Sequence, residues 1–61
     1  MVGAWYTHAD YPNRRIQVGY AHSNYDVPMG LLYRSDGEGG WIPHRWIGLN
    51  SYDVKRMQGV K

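Results

Sequence analysis

Residues 29–42 of this 61-residue chain read MGLLYRSDGEGGWI and point most directly to its fold. The centre of the stretch, DGEGG at positions 36–40, is rich in glycine, and glycine accepts the positive φ angles that tight turns need. The runs on either side have the character of strands. We therefore predict a hairpin, with one strand at Met29–Ser35 and the next beginning at Gly40.

Outside this hairpin the chain is also divided by turn-forming residues. Gly and Pro recur throughout, and no helical period persists for more than a few positions; this pattern favours short strands and turns. The other predicted strand segments are Gly3–His8, Arg15–His22, Gly40–Ile42 and Trp46–Leu49. In Arg15–Tyr20 the residues alternate, and this alternation predicts one face made of Ile16, Val18 and Tyr20.

The last segment is less clearly patterned. Ser51–Met57 is predicted to be a strand or an irregular end, and a single helical turn capped by Ser51 is the alternative. Residues 1–61 are predicted to form a single small all-β domain of about five short strands. A chain of this length is near the lower limit for folding alone without disulfides or metal, so a homo-oligomer could supply further burial.

Aromatic composition indicates a binding surface. The chain has six Tyr and three Trp but no Phe, and Tyr and Trp suit half-exposed recognition surfaces because they carry a polar group. The alternative is that a small core simply uses the aromatics it has. Because aliphatic residues are few, several aromatics must be buried, and we assign Trp5 and Trp41 to the core.

Charge and cysteine content restrict the function classes. The net charge of +2 is too small to indicate nucleic-acid binding by itself, although five of the seven basic residues are Arg, which favours planar contacts. The absence of cysteine removes disulfides and thiolate zinc sites. No apolar run could span a bilayer, and the first residues do not resemble a secretory signal. We expect a cytoplasmic protein with no membrane partner.

Enzymatic chemistry is not indicated. The three histidines, His8, His22 and His44, are not paired at helical spacing, so strand-end or surface positions are favoured over a zinc site. There is no Cys, and the serines lack a neighbouring base. We therefore predict no catalytic residues, no metal and no cofactor.

Residues 30–47 carry a family resemblance. A strand, a Gly-rich hairpin and the segment Gly40-Trp41-Ile42-Pro43-His44-Arg45-Trp46-Ile47 follow one another in an order that resembles the second half of a Src-homology-3 (SH3) domain. Ala4-Trp5-Tyr6 is similar to the opening Ala-Leu-Tyr of that family. The resemblance implies a small SH3-like antiparallel barrel, with Tyr6, Pro43 and Trp46 in a groove for Pro-rich peptides.

Two departures put a Pro-rich ligand in doubt. Gly30 stands where the family has a tryptophan, and the loop after the first strand is shortened to Ala9–Arg14, with Asp10 as its only acidic residue. Type II dihydrofolate reductases are SH3-like chains of similar length, and Gln17-Val18-Gly19-Tyr20 resembles their strands. Their Val-Gln-Ile-Tyr active-site run is absent from this sequence. An oligomeric reductase is therefore a third alternative, after the two functions given in the next paragraph.

The predicted function is protein binding. We expect a small stand-alone interaction module, such as a phage- or plasmid-type inhibitor or an accessory subunit of a host complex, that binds a protein surface through a Tyr/Trp/Arg patch. The alternative is a small barrel that binds single-stranded nucleic acid, because aromatic and Arg side chains supply stacking faces and cations. The predicted partner-binding residues are Tyr6, Tyr11, Tyr33, Arg34, His44, Arg45 and Trp46.

Overall fold

The computed structural model describes residues 2–20 and 27–60 of the chain. These residues form five strands and one short helix: β1 (Trp5–His8), β2 (Arg14–Tyr20), β3 (Met29–Ser35), β4 (Trp41–Gly48), α1 (Ser51–Arg56) and β5 (Met57–Gly59). No helix within these two ranges is long and apolar enough to cross a bilayer.

The five strands form one antiparallel sheet. Its strand order is β4-β3-β2-β1-β5, so the chain meanders through β1 to β4 and then returns to place β5 beside β1. The predicted all-β class with about five short strands is therefore confirmed. The predicted strand Arg15–His22 is observed as Arg14–Tyr20, and its last two residues lie outside the described residues.

The turn between β3 and β4 forms as the glycine pattern predicts. Gly37 and Gly39 have φ angles of 83° and 89°, a region that side-chain-bearing residues rarely adopt. The Asp36 carboxylate accepts hydrogen bonds from the backbone N–H groups of Glu38 at 2.6 Å and Gly40 at 2.9 Å. These two bonds lower the pKa of Asp36 below its ordinary value, outweighing a small opposing effect of burial.

Strand β4 is longer than predicted. The sequence suggested two segments, Gly40–Ile42 and Trp46–Leu49, but the structure has one strand with an irregularity. Tyr33 of β3 pairs with Pro43 and Leu32 with Arg45, which leaves His44 as an extra residue between them. A β-bulge of this kind absorbs one extra residue without ending the strand. It also accommodates Pro43, which has no N–H for the ladder.

The buried core is small and lies on one side of the sheet. Ile16, Val18, Leu32 and Leu49 are buried there, and Tyr6, Tyr11, Ile47 and Met57 pack against them. The backbone at Gly30 lies close to two core side chains: a Cβ at this position would be 2.7 Å from Ile16 Cγ2 and 2.9 Å from Leu49 Cδ1. There is no space here for a larger residue such as tryptophan.

The C-terminal segment combines both of the structures considered for it. Asn50, rather than Ser51, caps α1: its side chain accepts from the Asp53 N–H at 3.1 Å, while the Asp53 carboxylate accepts from the Asn50 N–H at 3.3 Å. This capping box satisfies two backbone donors at the start of the helix. The chain then continues directly into β5, which pairs with β1.

Candidate interaction surface

The side of the sheet opposite the core carries most of the aromatic rings. Cross-strand register places Trp5 opposite Gln17, Arg15 opposite Tyr33, and Ser35 opposite Trp41, all alternating with core positions. We call this surface the aromatic face and define it by seven residues: Trp5, Arg15, Gln17, Tyr20, Tyr33, Trp41 and Trp46.

The first cluster on the aromatic face joins β1, β2 and β3. The rings of Trp5 and Tyr33 lie 4.8 Å apart between centroids at an angle of 48°, and the Tyr33 hydroxyl donates to Gln17 Oε1 at 3.0 Å. An aromatic pair at this centroid distance adds stability beyond that from the apolar area it buries. The two aromatic side chains are therefore held in place before any partner arrives.

The second cluster is formed by Trp46 and Tyr20, whose ring centroids are 5.6 Å apart. The Trp46 ring lies directly over Gly19, where a Cβ would be only 2.3 Å from Trp46 Cζ3. Trp46 is nevertheless 50% exposed and Tyr20 is 43% exposed. A large ring that packs on a strand and still presents half its surface to solvent is suited to bury that surface against another protein.

The third cluster contains the only cation assigned to the aromatic face. The Arg15 guanidinium carbon lies 4.7 Å from the centroid of the Trp41 ring, a cation–π geometry. Together with Trp5 and Val60, these two residues line an open depression of about 200 Å³. The depression offers an apolar wall and a guanidinium to one protruding group of a partner.

Residues predicted as one patch are divided between the two sides of the sheet. Tyr33 and Trp46 lie on the aromatic face, whereas Arg34 and Arg45 follow the opposite alternation, with Arg34 facing Ile42 and Arg45 facing Leu32. Neighbouring residues in a strand point to opposite sides. The structure therefore does not bring these four residues together on one side of the sheet.

The remaining predicted binding residues are also separated. Tyr6 and Tyr11 pack against the core, and His44 is exposed at the β4 bulge. The groove that the SH3 resemblance implied is divided in the same way, because Tyr6 is on the core side and Trp46 is on the aromatic face.

Five aromatic-face residues were not among the predicted binding residues: Trp5, Arg15, Gln17, Tyr20 and Trp41. The assignment of Trp5 and Trp41 to the core was wrong: Trp5 packs on Tyr33, and Trp41 is 38% exposed. Tyr20 was expected on the face of Ile16 and Val18, but a register shift between Val18 and Tyr20 moves it to the aromatic face. For Arg15 and Trp5 the signal was available, since each directly precedes a core-facing residue in its strand.

Among residues 2–20 and 27–60, His8 is the buried polar residue, with 4% of its surface exposed. Its Nε2 lies 2.9 Å from Asp53 Oδ1, and its Nδ1 accepts the Asp10 N–H at 3.0 Å. Because Nδ1 is an acceptor, Nε2 carries the proton and donates to Asp53. The ring also makes an edge contact with Tyr11 at 4.8 Å. This network ties α1 to β1, which is a structural task.

Two further features of the described residues bear on chemistry. Within residues 2–20 and 27–60, no group of three or more His, Asp or Glu side chains is arranged to hold a metal ion. On the core side, a cavity of about 260 Å³ is lined by apolar side chains, including Val18, Leu49, Val54 and Met57.

Comparison with known proteins adds no relative. No protein-family model matches the chain, and neither a curated protein nor a solved structure is significantly similar to it.

Proposed function

We propose that this protein is a small protein-interaction module that binds a protein partner through the aromatic face. The observation that carries the proposal is Trp46, which packs on Gly19 and Tyr20 yet leaves half of its side chain exposed. Tyr20 and Trp41 extend the exposed aromatic surface on the same side of the sheet. Trp and Tyr are the residues most enriched among binding hot spots.

Preorganisation supports the same proposal. The Tyr33 hydroxyl is fixed by Gln17, and Arg15 is held over Trp41. Side chains that are already ordered lose less conformational entropy on binding. A rigid, largely apolar face with one guanidinium fits a protein surface that offers an apolar patch and a carboxylate.

The alternative of a barrel that combines base stacking with phosphate contacts on one surface is disfavoured. Such a surface would need aromatic rings and several cations together. Here Tyr33 and Trp46 are on the aromatic face, while Arg34 and Arg45 are on the other side of the sheet.

The finer fold is also part of the proposal. Five short antiparallel strands, with the Gly-rich turn between the third and fourth and a helical turn before the fifth, support an SH3-like barrel. A module of this size would act by occupying a surface on a larger assembly, as an inhibitor or an accessory subunit. We place it in the cytoplasm, because it has no cysteine.

Neighbouring residues of β4 provide the test. A partner is first identified by affinity capture, and its binding to purified variants is then measured by calorimetry. Trp46→Ala is expected to weaken binding by about 1–3 kcal/mol, whereas Arg45→Ala, on the opposite side of the strand, is expected to leave it unchanged. Circular dichroism must show that both variants are folded.

Two results would contradict the proposal. One is equal weakening by both variants, which would place the partner on β4 as an edge rather than on one face. The other is a wild-type dimer in light scattering that Trp46→Ala converts to monomer, which would assign the aromatic face to a second copy of this chain.

A further inference from the structure

The core side of the sheet carries a row of three arginines near the β3–β4 turn. Arg14 of β2 is directly opposite Arg34 of β3, and Arg45 of β4 is opposite Leu32, two positions before Arg34 on the same side of β3. We call Arg14, Arg34 and Arg45 the arginine row. Adjacent strands are about 4.8 Å apart and each residue advances about 3.4 Å along a strand, so the row crosses three strands diagonally over about 12 Å.

Of the four carboxylates in the described part of the chain, three have other partners, and Glu38 lies exposed in the β3–β4 turn near the row. Asp10 is engaged by Tyr52 and Arg56, Asp53 by His8, and Asp36 by the backbone of its own turn. Within residues 2–20 and 27–60, no ion pair joins a carboxylate to the arginine row.

This arrangement lowers the stability of the folded chain. Like charges directly opposite each other on adjacent strands are destabilising, and Arg14 and Arg34 are such a pair. Among the described residues, the Arg14 guanidinium donates a hydrogen bond to the carbonyl of the adjacent Asn13, at 3.4 Å. Local arrangements that oppose stability are typical of functional sites.

We propose that the arginine row binds the phosphate groups of a single-stranded nucleic acid. Each guanidinium presents a planar set of donors that matches a phosphate, and a flexible single strand can bring successive phosphates to a fixed row. The rings of the aromatic face are on the other side of the sheet, so binding here is to the backbone, independent of base sequence and strongly reduced by salt.

An acidic protein segment fits the row less well. Peptides gain specificity from pockets that take their side chains, but neither cavity described above is lined by a residue of the row. Arg34 and Arg45 are exposed on an open surface. A repeating backbone charge needs no pocket.

Fluorescence anisotropy with a labelled oligothymidylate of about 12 nucleotides, a length within the range that small barrels cover, provides the test. Three phosphate contacts predict a slope of about −2 for log affinity against log salt concentration. Arg34→Gln is expected to reduce the slope to about −1.4 and the low-salt affinity by about tenfold. Arg34→Lys is expected to retain the slope.

Matched variants make the result specific. Lys55→Gln makes the same change in net charge on α1 and is expected to leave the slope unchanged. Trp46→Ala is also expected to leave it unchanged, so this inference and the proposed function can fail separately. Arg34→Gln should also raise the denaturation midpoint, because it removes the repulsion with Arg14.

The inference is overturned if Lys55→Gln reduces the slope as much as Arg34→Gln does. It is also overturned if Trp46→Ala abolishes oligonucleotide binding, since the aromatic face would then be the nucleic-acid site. If polyglutamate at equal charge concentration displaces the oligonucleotide, the ligand of the arginine row is an acidic protein segment and not a nucleic acid.

Discussion

Gly19 and Gly59 offer a sensitive test of how the aromatic face is built. Both are strand glycines, but a Cβ on Gly19 would lie 2.3 Å from Trp46 Cζ3, whereas a Cβ on Gly59 would meet nothing within 4 Å. Real Cβ atoms essentially never lie closer than 3.0 Å to another heavy atom. In Gly19→Ala, therefore, the ring of Trp46 and β2 must move apart by about 0.7 Å or more.

The magnitude follows from the area that Trp46 buries. A tryptophan that is half exposed covers about 100 Å², which at about 25 cal/mol per Å² corresponds to about 2.5 kcal/mol if the whole contact is lost. Partial retention of the contact reduces the loss to about 1 kcal/mol. Gly59→Ala is expected to stabilise the fold by about 0.4–1 kcal/mol, because alanine restricts the unfolded chain.

The free energy of unfolding of both variants is measured by urea titration followed by circular dichroism. Acrylamide quenching of tryptophan fluorescence reports whether a tryptophan ring has become more exposed. We expect a lower midpoint and stronger quenching for Gly19→Ala, and a higher midpoint with unchanged quenching for Gly59→Ala. Shifts of the same sign in both variants would refute the packing of Trp46 on β2 described above.

Three further predictions concern the hydrogen bonds of single side chains. His8→Ala leaves buried polar groups unpaired and should reduce the free energy of unfolding by about 2–4 kcal/mol, whereas His44→Ala, at an exposed position, should change it by less than about 0.5 kcal/mol; urea titration compares them. The pKa of Tyr52 is raised by the hydrogen bond that its hydroxyl donates to the Asp10 carboxylate and, less, by burial. The contribution of this hydrogen bond to the stability of the fold is therefore complete below about pH 10 and is lost as pH rises through the raised pKa. Tyr52→Phe should remove this alkaline loss in thermal melts. Because the pKa of Asp36 is lowered by its turn, chiefly by the backbone N–H groups, its contribution is present above about pH 4 and lost as pH falls further; an Asp36→Ala melt should lack that acid-dependent part.

Local patterns were sufficient to predict the class of fold. The Gly-rich turn at 36–40 and the alternation in Arg15–Val18 both correspond to observed elements. The helical turn was harder to predict, because six residues carry little periodic signal and its cap, Asn50, depends on a reciprocal bond with Asp53.

The aromatic face could be predicted only in part. Composition indicated that aromatics would be exposed, but assigning neighbours such as Arg45 and Trp46 to one patch overlooked the alternation of a strand. Two irregularities could not be read from the pattern: the register shift at Gly19, which moves Tyr20 to the other side, and the bulge at Pro43 and His44, which keeps β4 continuous. Both depend on how strands pair, and pairing is a tertiary property.

The bulge in β4 also bears on how the chain behaves when it is crowded. Among the described strands β4 pairs only with β3, so an eight-residue strand forms one border of the sheet. A long and regular edge strand is a template on which further chains can add by β-pairing, as in fibril growth. The irregularity at Pro43 and His44 interrupts the regular register of this border, and a β-bulge bends and twists its strand out of the flat geometry that stacking requires. The two residues that interrupt the β3–β4 ladder therefore make this border a poorer template for the addition of further chains.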